Sequence, residues 1–193
     1  MTQTTRRRNA RGEGERLRQE LIRAASQLLE SLPGEESLSL RAVARQAGVS
    51  APSVYLHFAD KGELVGAVLA TRFAELDRAM AAAADRAASP EAELWERCAA
   101  YVGYAEQHPG NYRVMFAAVP SGDRPDEAAP GAEMVRRLGR LAIRCGATGD
   151  PLEVGTVLWC GLHGIVTLPE SKPLFPWPGR ELLLRRLIAC VTG

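Results

Sequence analysis

The chain is short of the residues that most enzyme chemistry needs. It has three histidines, and no GxSxG elbow, phosphate loop, HExxH pair or paired-carboxylate helix motif, so an enzyme of those classes is not expected. Lysine is nearly absent: Lys61 and Lys172 are the only two, and arginine carries almost all of the positive charge. No stretch approaches the ~18 to 20 uninterrupted apolar residues of a membrane span. The basic N-terminus lacks the apolar segment of a secretory signal, so a cytoplasmic protein without a membrane partner is the expectation. The four cysteines (Cys98, Cys145, Cys160, Cys190) are scattered and form no CxxC pair, which suits reduced, mostly buried thiols better than a disulfide framework or a zinc site. No metal and no cofactor are expected. A thiol redox sensor would need an exposed, low-pKa cysteine, whereas all four lie in apolar helical surroundings.

What is present is an ordinary globular composition, 46% hydrophobic and 24% charged over 193 residues, enough for one domain or for a small domain joined to a larger one. The net charge of +1 is unevenly placed. Residues 1–23 hold seven arginines against three glutamates, a balance of +4, which leaves −3 for the remainder. A basic arm over residues 1–12 on an otherwise mildly acidic chain points to a polyanion partner, or else to a solvated tail with none.

Apolar spacing is helical nearly throughout, and no segment combines period-2 alternation with β-branched residues. Leu17, Leu21, Leu28 and Leu32, with Ile22, Ala25 and Leu29, predict a first helix from about 14 to 32, stopped at Pro33-Gly34. Ser39 can cap a second helix that ends at Gly48, and Ser50 a third with Pro52 in its first turn. Asp60 can cap a long fourth helix to about Ala88. Further helices are expected over 91–107, after Pro109-Gly110, and at about 132–145, 151–168 and 179–192, with a loop from Pro120 to Gly131. The fold class is all-α: an N-terminal three-helix domain (13–61), then a linking helix and a larger bundle (62–193).

The informative segment runs from Ser39 to Lys61. Two short helices packed at a steep angle need a small residue at the crossing and a glycine in the turn, which Ala44 and Gly48 supply. Val49 and Val54 can fill the space between them, leaving the outward side of the third helix with nothing apolar to bury against. Ser39, Ala44, Ala47-Gly48-Val49-Ser50, Tyr55, His57-Phe58, Lys61 and Leu64 together resemble the signature of the TetR family of bacterial transcriptional regulators. That resemblance implies a helix-turn-helix whose third helix enters the major groove of operator DNA. Ala51, Pro52, Ser53 and Leu56 would stand nearest the base edges, while Tyr55, His57 and Lys61, with Ser39, Ser50 and Arg41, would hold the phosphate backbone. Plainer readings stand beside these: Tyr55 as a half-buried core aromatic, His57 as a packing histidine, Lys61 as a solvated charge, and both serines as helix caps first. The sequence departs from the family's common form in two places. Glu35 and Glu36 follow the first helix, close to where DNA should lie, and Ala51 and Pro52 offer no bidentate hydrogen-bonding group.

The C-terminal half resembles one branch of that family in two stretches, His108-Pro109-Gly110-Asn111-Tyr112 with Met115-Phe116, and Leu158-Trp159-Cys160-Gly161-Leu162-His163-Gly164. The resemblance implies a homodimer and a small-molecule effector that releases a repressor from its operator. A constitutive repressor and an activator are the alternatives. Trp95, Tyr101, Tyr104, Tyr112, Met115, Phe116, Trp159 and His163 are candidate pocket-lining residues, though at helical spacing such side chains are also ordinary core. Gly155, Gly161 and Gly164 would suit close backbone approach. The helices at 151–168 and 179–192 suggest a four-helix dimer interface, with Leu184 and Leu187 among its side chains, or else they close the monomer's own bundle.

Overall fold

Helices, most of them bounded by caps, glycines or prolines, form the regular structure of the computed structural model, which describes residues 13–32, 37–117 and 131–193. The basic arm at 1–12, the Pro33–Glu36 connection and all but the last residue of the expected loop at 120–131 lie outside the described residues. In order, the helices are α1 (Glu13–Ser31), α2 (Leu40–Gln46), α3 (Ala51–Tyr55), α4 (Lys61–Ala83), α5 (Pro90–Gln107), α6 (Pro109–Ala117), α7 (Ala132–Arg144), α8 (Pro151–Ser171) and α9 (Arg180–Thr192). Among the described residues there is no strand. The all-α expectation holds.

Cap chemistry sets most of the boundaries. The Ser39 hydroxyl accepts from the Ala42 amide at 3.2 Å, and the Ser89 hydroxyl accepts from the Ala92 amide at 3.2 Å. At the head of α4, Asp60 Oδ1 accepts from the Glu63 amide at 2.8 Å while Glu63 Oε2 accepts from the Ala59 amide at 2.7 Å, a close variant of the capping box. Asp150 caps α8 through the Leu152 and Glu153 amides. Two boundaries differ from expectation. α4 ends at Ala83 and not near Ala88, because residues 84–86 tighten into turns once its apolar pattern has given out at Ala84. α8 carries Pro169 inside its last turn and continues to Ser171.

The chain divides into two compact units. The first, described over 13–32, 37–69 and 113–117, is built on Leu21, Ala25, Leu29, Val43, Ala44, Val54, Phe58, Leu64 and Val68, all buried. Leu17, Leu28, Leu32 and Val49 pack partly buried against that centre. Gly48, at φ +69°, makes the left-handed turn between α2 and α3. Arg113 Nη2 donates to the Glu30 carbonyl, satisfying an orphan group at the end of α1, where the last turn has no basic residue.

The second unit is described over 70–112 and 131–193, and its densest packing is α7 against α8. There Gly139 and Gly155 set the approach. A Cβ on Gly155 would meet the Val135 carbonyl oxygen at 2.0 Å, and one on Gly139 would meet the Pro151 carbonyl oxygen at 1.7 Å. The expectation of close backbone approach is therefore correct for Gly155 and wrong for its two neighbours. Gly161 accommodates the Leu187 side chain of α9, and Gly164 meets nothing beyond its own helix.

Candidate functional site

The helix-turn-helix presents the side of α3 that its own packing cannot use. Val54 and Phe58 are fully buried and hold α3 on the first unit's core. Burial of a ring such as Phe58 is worth about 2 to 3 kcal/mol. The Arg18 guanidinium of α1 stands over the Phe58 ring, 5.1 Å from its centre. On the opposite side Pro52 is exposed, Tyr55 is 57% exposed and Leu56 is 75% exposed. Ser39, Arg41 and Ser50 are also exposed, whereas Ala51, Ser53, His57 and Lys61 are half-buried. The His57 ring stands near Gly14 of α1. Tyr55 is thus a surface aromatic and not a core one.

Ser50 does not cap α3 with its side chain. An N-cap oxygen serves the second or third helical amide, but Pro52 has no N–H and the Ser53 amide already bonds the Ser50 carbonyl at 3.0 Å. The two hydroxyls, Ser50 Oγ and Ser53 Oγ, pair at 2.7 Å. This surface therefore offers hydroxyl groups and methyl-like carbon, and no fork of guanidinium or amide on α3 itself. Such groups suit phosphate oxygens and thymine methyls better than bidentate reading of guanine or adenine.

In the second unit, four of the aromatic residues expected to line a pocket form one hydrogen-bonded chain. Trp159 Nε1–H donates to the Tyr101 hydroxyl at 3.1 Å, the Tyr101 and Tyr112 hydroxyls pair at 2.9 Å, and Tyr112 bonds His163 Nδ1 at 2.7 Å. An indole can only donate. Tyr101 therefore accepts from Trp159, and the direction of the other two bonds follows from which tautomer a neutral His163 imidazole adopts. Burial pulls His163 below its ordinary pKa of 6.5, which agrees with that neutral form. Burial also raises Tyr101 to about 12, against the opposing bonds from Tyr112 and Trp159. For Tyr112 burial leads the upward shift, followed by the Tyr101 neighbour. Tyr112 from the first C-terminal stretch and Trp159 and His163 from the second are therefore parts of one network.

The other expected pocket residues are elsewhere. Trp95 lies under the Arg185 guanidinium of α9, 4.5 Å from its ring centre. Met115 and Phe116 fall in the segment of α6 that belongs to the first unit, Met115 buried and Phe116 half-buried. Tyr104 is buried, and its hydroxyl and Asn111 Oδ1 are without a hydrogen-bond partner. Burial raises the Tyr104 hydroxyl above its ordinary pKa, Glu75 of α4 raises it further and Arg72 of α4 opposes; neither α4 residue was singled out from sequence. Their only signal there would have been charged residues recurring inside the apolar pattern of α4.

Two expectations about the last helices need correction. Cys98 is buried and burial, then the neighbouring Cys145, pushes its thiol up to about 12, but Cys160 and Cys190 are exposed. Leu184 is buried within the chain and Leu187 fills the space beside Gly161, so neither faces outward. The outward apolar side chains are Leu152, Val157 and Leu168 on α8 and Leu182 on α9. Among the described residues α8 is also the one helix long and apolar enough to cross a membrane, by length and composition.

An exposed helix-turn-helix joined to a larger helical unit is the arrangement of a DNA-binding transcription regulator. The chain belongs to the tetR family of bacterial regulatory proteins, whose model matches residues 21–68, and a tetracyclin repressor-like C-terminal domain matches residues 94–191. It is 28% identical over 110 residues to the nucleoid occlusion factor SlmA of Marinomonas sp., a stretch of 55% of this chain and 53% of that one. The chain thus spans about half the length of the curated relative it matches. A tetR-family transcriptional regulator from Pectobacterium atrosepticum is 25% identical with a TM-score of 0.63, over 94% of this chain and 93% of that one. A tetR-family transcription regulator from Marinobacter aquaeolei shares the fold at a TM-score of 0.73 and 16% identity, over 95% of this chain and 100% of that one.

Proposed function

We propose that the chain is a cytoplasmic repressor that binds a roughly palindromic operator as a homodimer and leaves it when the C-terminal unit takes up a small molecule. The observation that carries the DNA half of this reading is the outward side of α3, where Pro52, Tyr55 and Leu56 are held in solvent by a fully buried Val54 and Phe58. An aromatic and a leucine are kept exposed at a cost, which a groove partner would recover. Ala51, Pro52, Ser53 and Leu56 approach base edges, and Ser39, Arg41, Ser50, Tyr55, His57 and Lys61 hold the backbone. Residues 13–61 form the DNA-binding domain, and 62–193 form the linking helix with the effector and dimerisation domain.

Dimerisation is assigned to α8 and α9. Leu152, Val157, Leu168 and Leu182 are apolar positions open to solvent there, and a second copy would cover them without a membrane. The effector half rests on the Trp159–Tyr101–Tyr112–His163 network, a polar interior that costs less to keep where it meets a ligand. A ligand preferring the DNA-incompetent state by about 1 to 3 kcal/mol would weaken operator binding roughly 5- to 150-fold.

The test starts from a duplex selected out of a random pool, followed by fluorescence anisotropy across a salt series. Lys61→Ala should weaken binding to all sequences alike and lower the salt slope by about 1 per subunit. Val157→Glu should convert the dimer to monomer in sedimentation. A selection that enriches no sequence, or a wild-type monomer at micromolar concentration, would sink the reading.

A further inference from the structure

In the first unit, apolar exposure is confined to one place. Among its described residues, Tyr55 and Leu56 are the large hydrophobic side chains left in solvent, Leu56 to 75%. Leu56 closes α3 with helical backbone angles, φ −75° and ψ −17°, so it stands one turn beyond Pro52 on the same side. Pro52 is exposed as well, while Val54 and Phe58 are fully buried in the core. Polar groups on α3 are few. Ser53 pairs its hydroxyl with that of Ser50 at 2.7 Å, Pro52 has no N–H to offer, and α3 carries no amide, guanidinium or carboxylate side chain. The exposed arginines nearest in sequence, Arg41 and Arg45, belong to α2. Gln46 of α2 is bonded to Gln27 of α1 at 3.2 Å.

Base edges in the major groove differ in kind. Guanine, adenine and cytosine present hydrogen-bonding atoms there, whereas thymine adds the one apolar group, its C5 methyl. A leucine or proline side chain laid on O6, N7 or an exocyclic amine strips water from that atom and returns no bond. Laid on a methyl, it hides two apolar surfaces at once. We propose, on the operator-binding reading argued above, that α3 reads thymines by their methyl groups through Pro52 and Leu56. Each half-site then carries two T·A pairs under α3, and α3 recognises no guanine. Side chains one helical turn apart have Cβ atoms about 5 to 6 Å apart, and bases of one strand follow each other at about 3.4 Å. The two thymines therefore lie within about two base-pair steps of each other.

Deoxyuridine in place of thymidine removes the methyl and keeps every hydrogen-bonding atom, which makes it the probe. The selected operator is rebuilt with deoxyuridine at one thymine position at a time, in both half-sites, and separately with 7-deazaguanine at each guanine. Anisotropy then reads the affinity of the full chain. At two neighbouring positions deoxyuridine should weaken binding about fourfold per half-site, or about sixteenfold for the duplex. Leu56→Ala should weaken binding to the thymine operator and abolish the deoxyuridine loss at one of those positions, and Pro52→Ala should abolish it at the other. Circular dichroism of both variants should match wild type, since both side chains lie outside the core. Deoxyuridine without effect at every position overturns the proposal and leaves operator binding standing. So does a largest loss at 7-deazaguanine, which would give the reading to an arginine fork, or a deoxyuridine loss that both variants keep in full. A selection that enriches no sequence removes the operator reading and the methyl reading together.

Discussion

The two units bury different kinds of matter. In the first, Ser26 is the one buried polar side chain outside the aromatic residues among those described, and the rest of the interior is hydrocarbon around Val43, Val54 and Phe58. In the second, tyrosine hydroxyls, an indole and an imidazole are linked through the interior, and glycines bring two helix backbones into contact. A unit whose task is to hold a short helix at one angle gains from an apolar centre with no alternative pairing. The second unit instead buries groups with directions, and it accepts the cost of desolvating them.

The largest expected effect separates glycine from glycine. Gly155→Ala places a Cβ against the Val135 carbonyl and should destabilise the full chain by about 3 kcal/mol or more in urea unfolding. Gly66→Ala, in the first unit's part of α4, meets open space and should stabilise by roughly 0.5 to 1 kcal/mol. The same sign for both would erase the contrast in packing.

The next contrast is between tyrosines. Tyr112→Phe leaves the Tyr101 hydroxyl and His163 Nδ1 without their shared partner, at a cost of about 1 to 3 kcal/mol. Tyr55→Phe alters an exposed ring and should stay within about 0.5 kcal/mol of wild type in the same unfolding measurement. A neutral Tyr112→Phe would mean that the chain of hydroxyls contributes nothing to the second unit.

The smallest effect is the dependence on pH. Burial depresses His163 in the folded state, so the unfolded chain binds its proton at higher pH than the folded one does. Stability from the neutral imidazole is complete above the unfolded value near 6.5, and it is lost as pH falls toward and through the lower folded value. Wild type should therefore lose more in unfolding temperature between pH 7.5 and 5.5 than His163→Gln does. Parallel losses would place the titration elsewhere.

The helix-turn-helix was legible because its determinants are local. Ser39, Ala44, Gly48 and Asp60 act on residues within four or five positions, so spacing alone carries the geometry. The hydroxyl chain was only half legible. Its members were visible as aromatics, but the bonds join residues 51 and 58 positions apart, and no local pattern encodes that pairing. α8 is apolar on more than one side, which is why sequence could not say that Leu158 points inward while Val157 and Cys160 point out. Gly139 escaped notice because α7 reads as a plain amphipathic helix, and its partner Gly155 lies on another element.

The indole that opens the hydroxyl chain has an optical consequence. Trp95, Trp159 and Trp177 all belong to the second unit, and the first holds a single tyrosine, Tyr55. Emission excited at the red edge of the indole band therefore observes the second unit alone. Trp159, bonded through its ring nitrogen to Tyr101, changes colour and yield with any rearrangement of that chain. The first unit, with no tryptophan, is dark under the same light, so one unlabelled sample reports changes in the second unit alone.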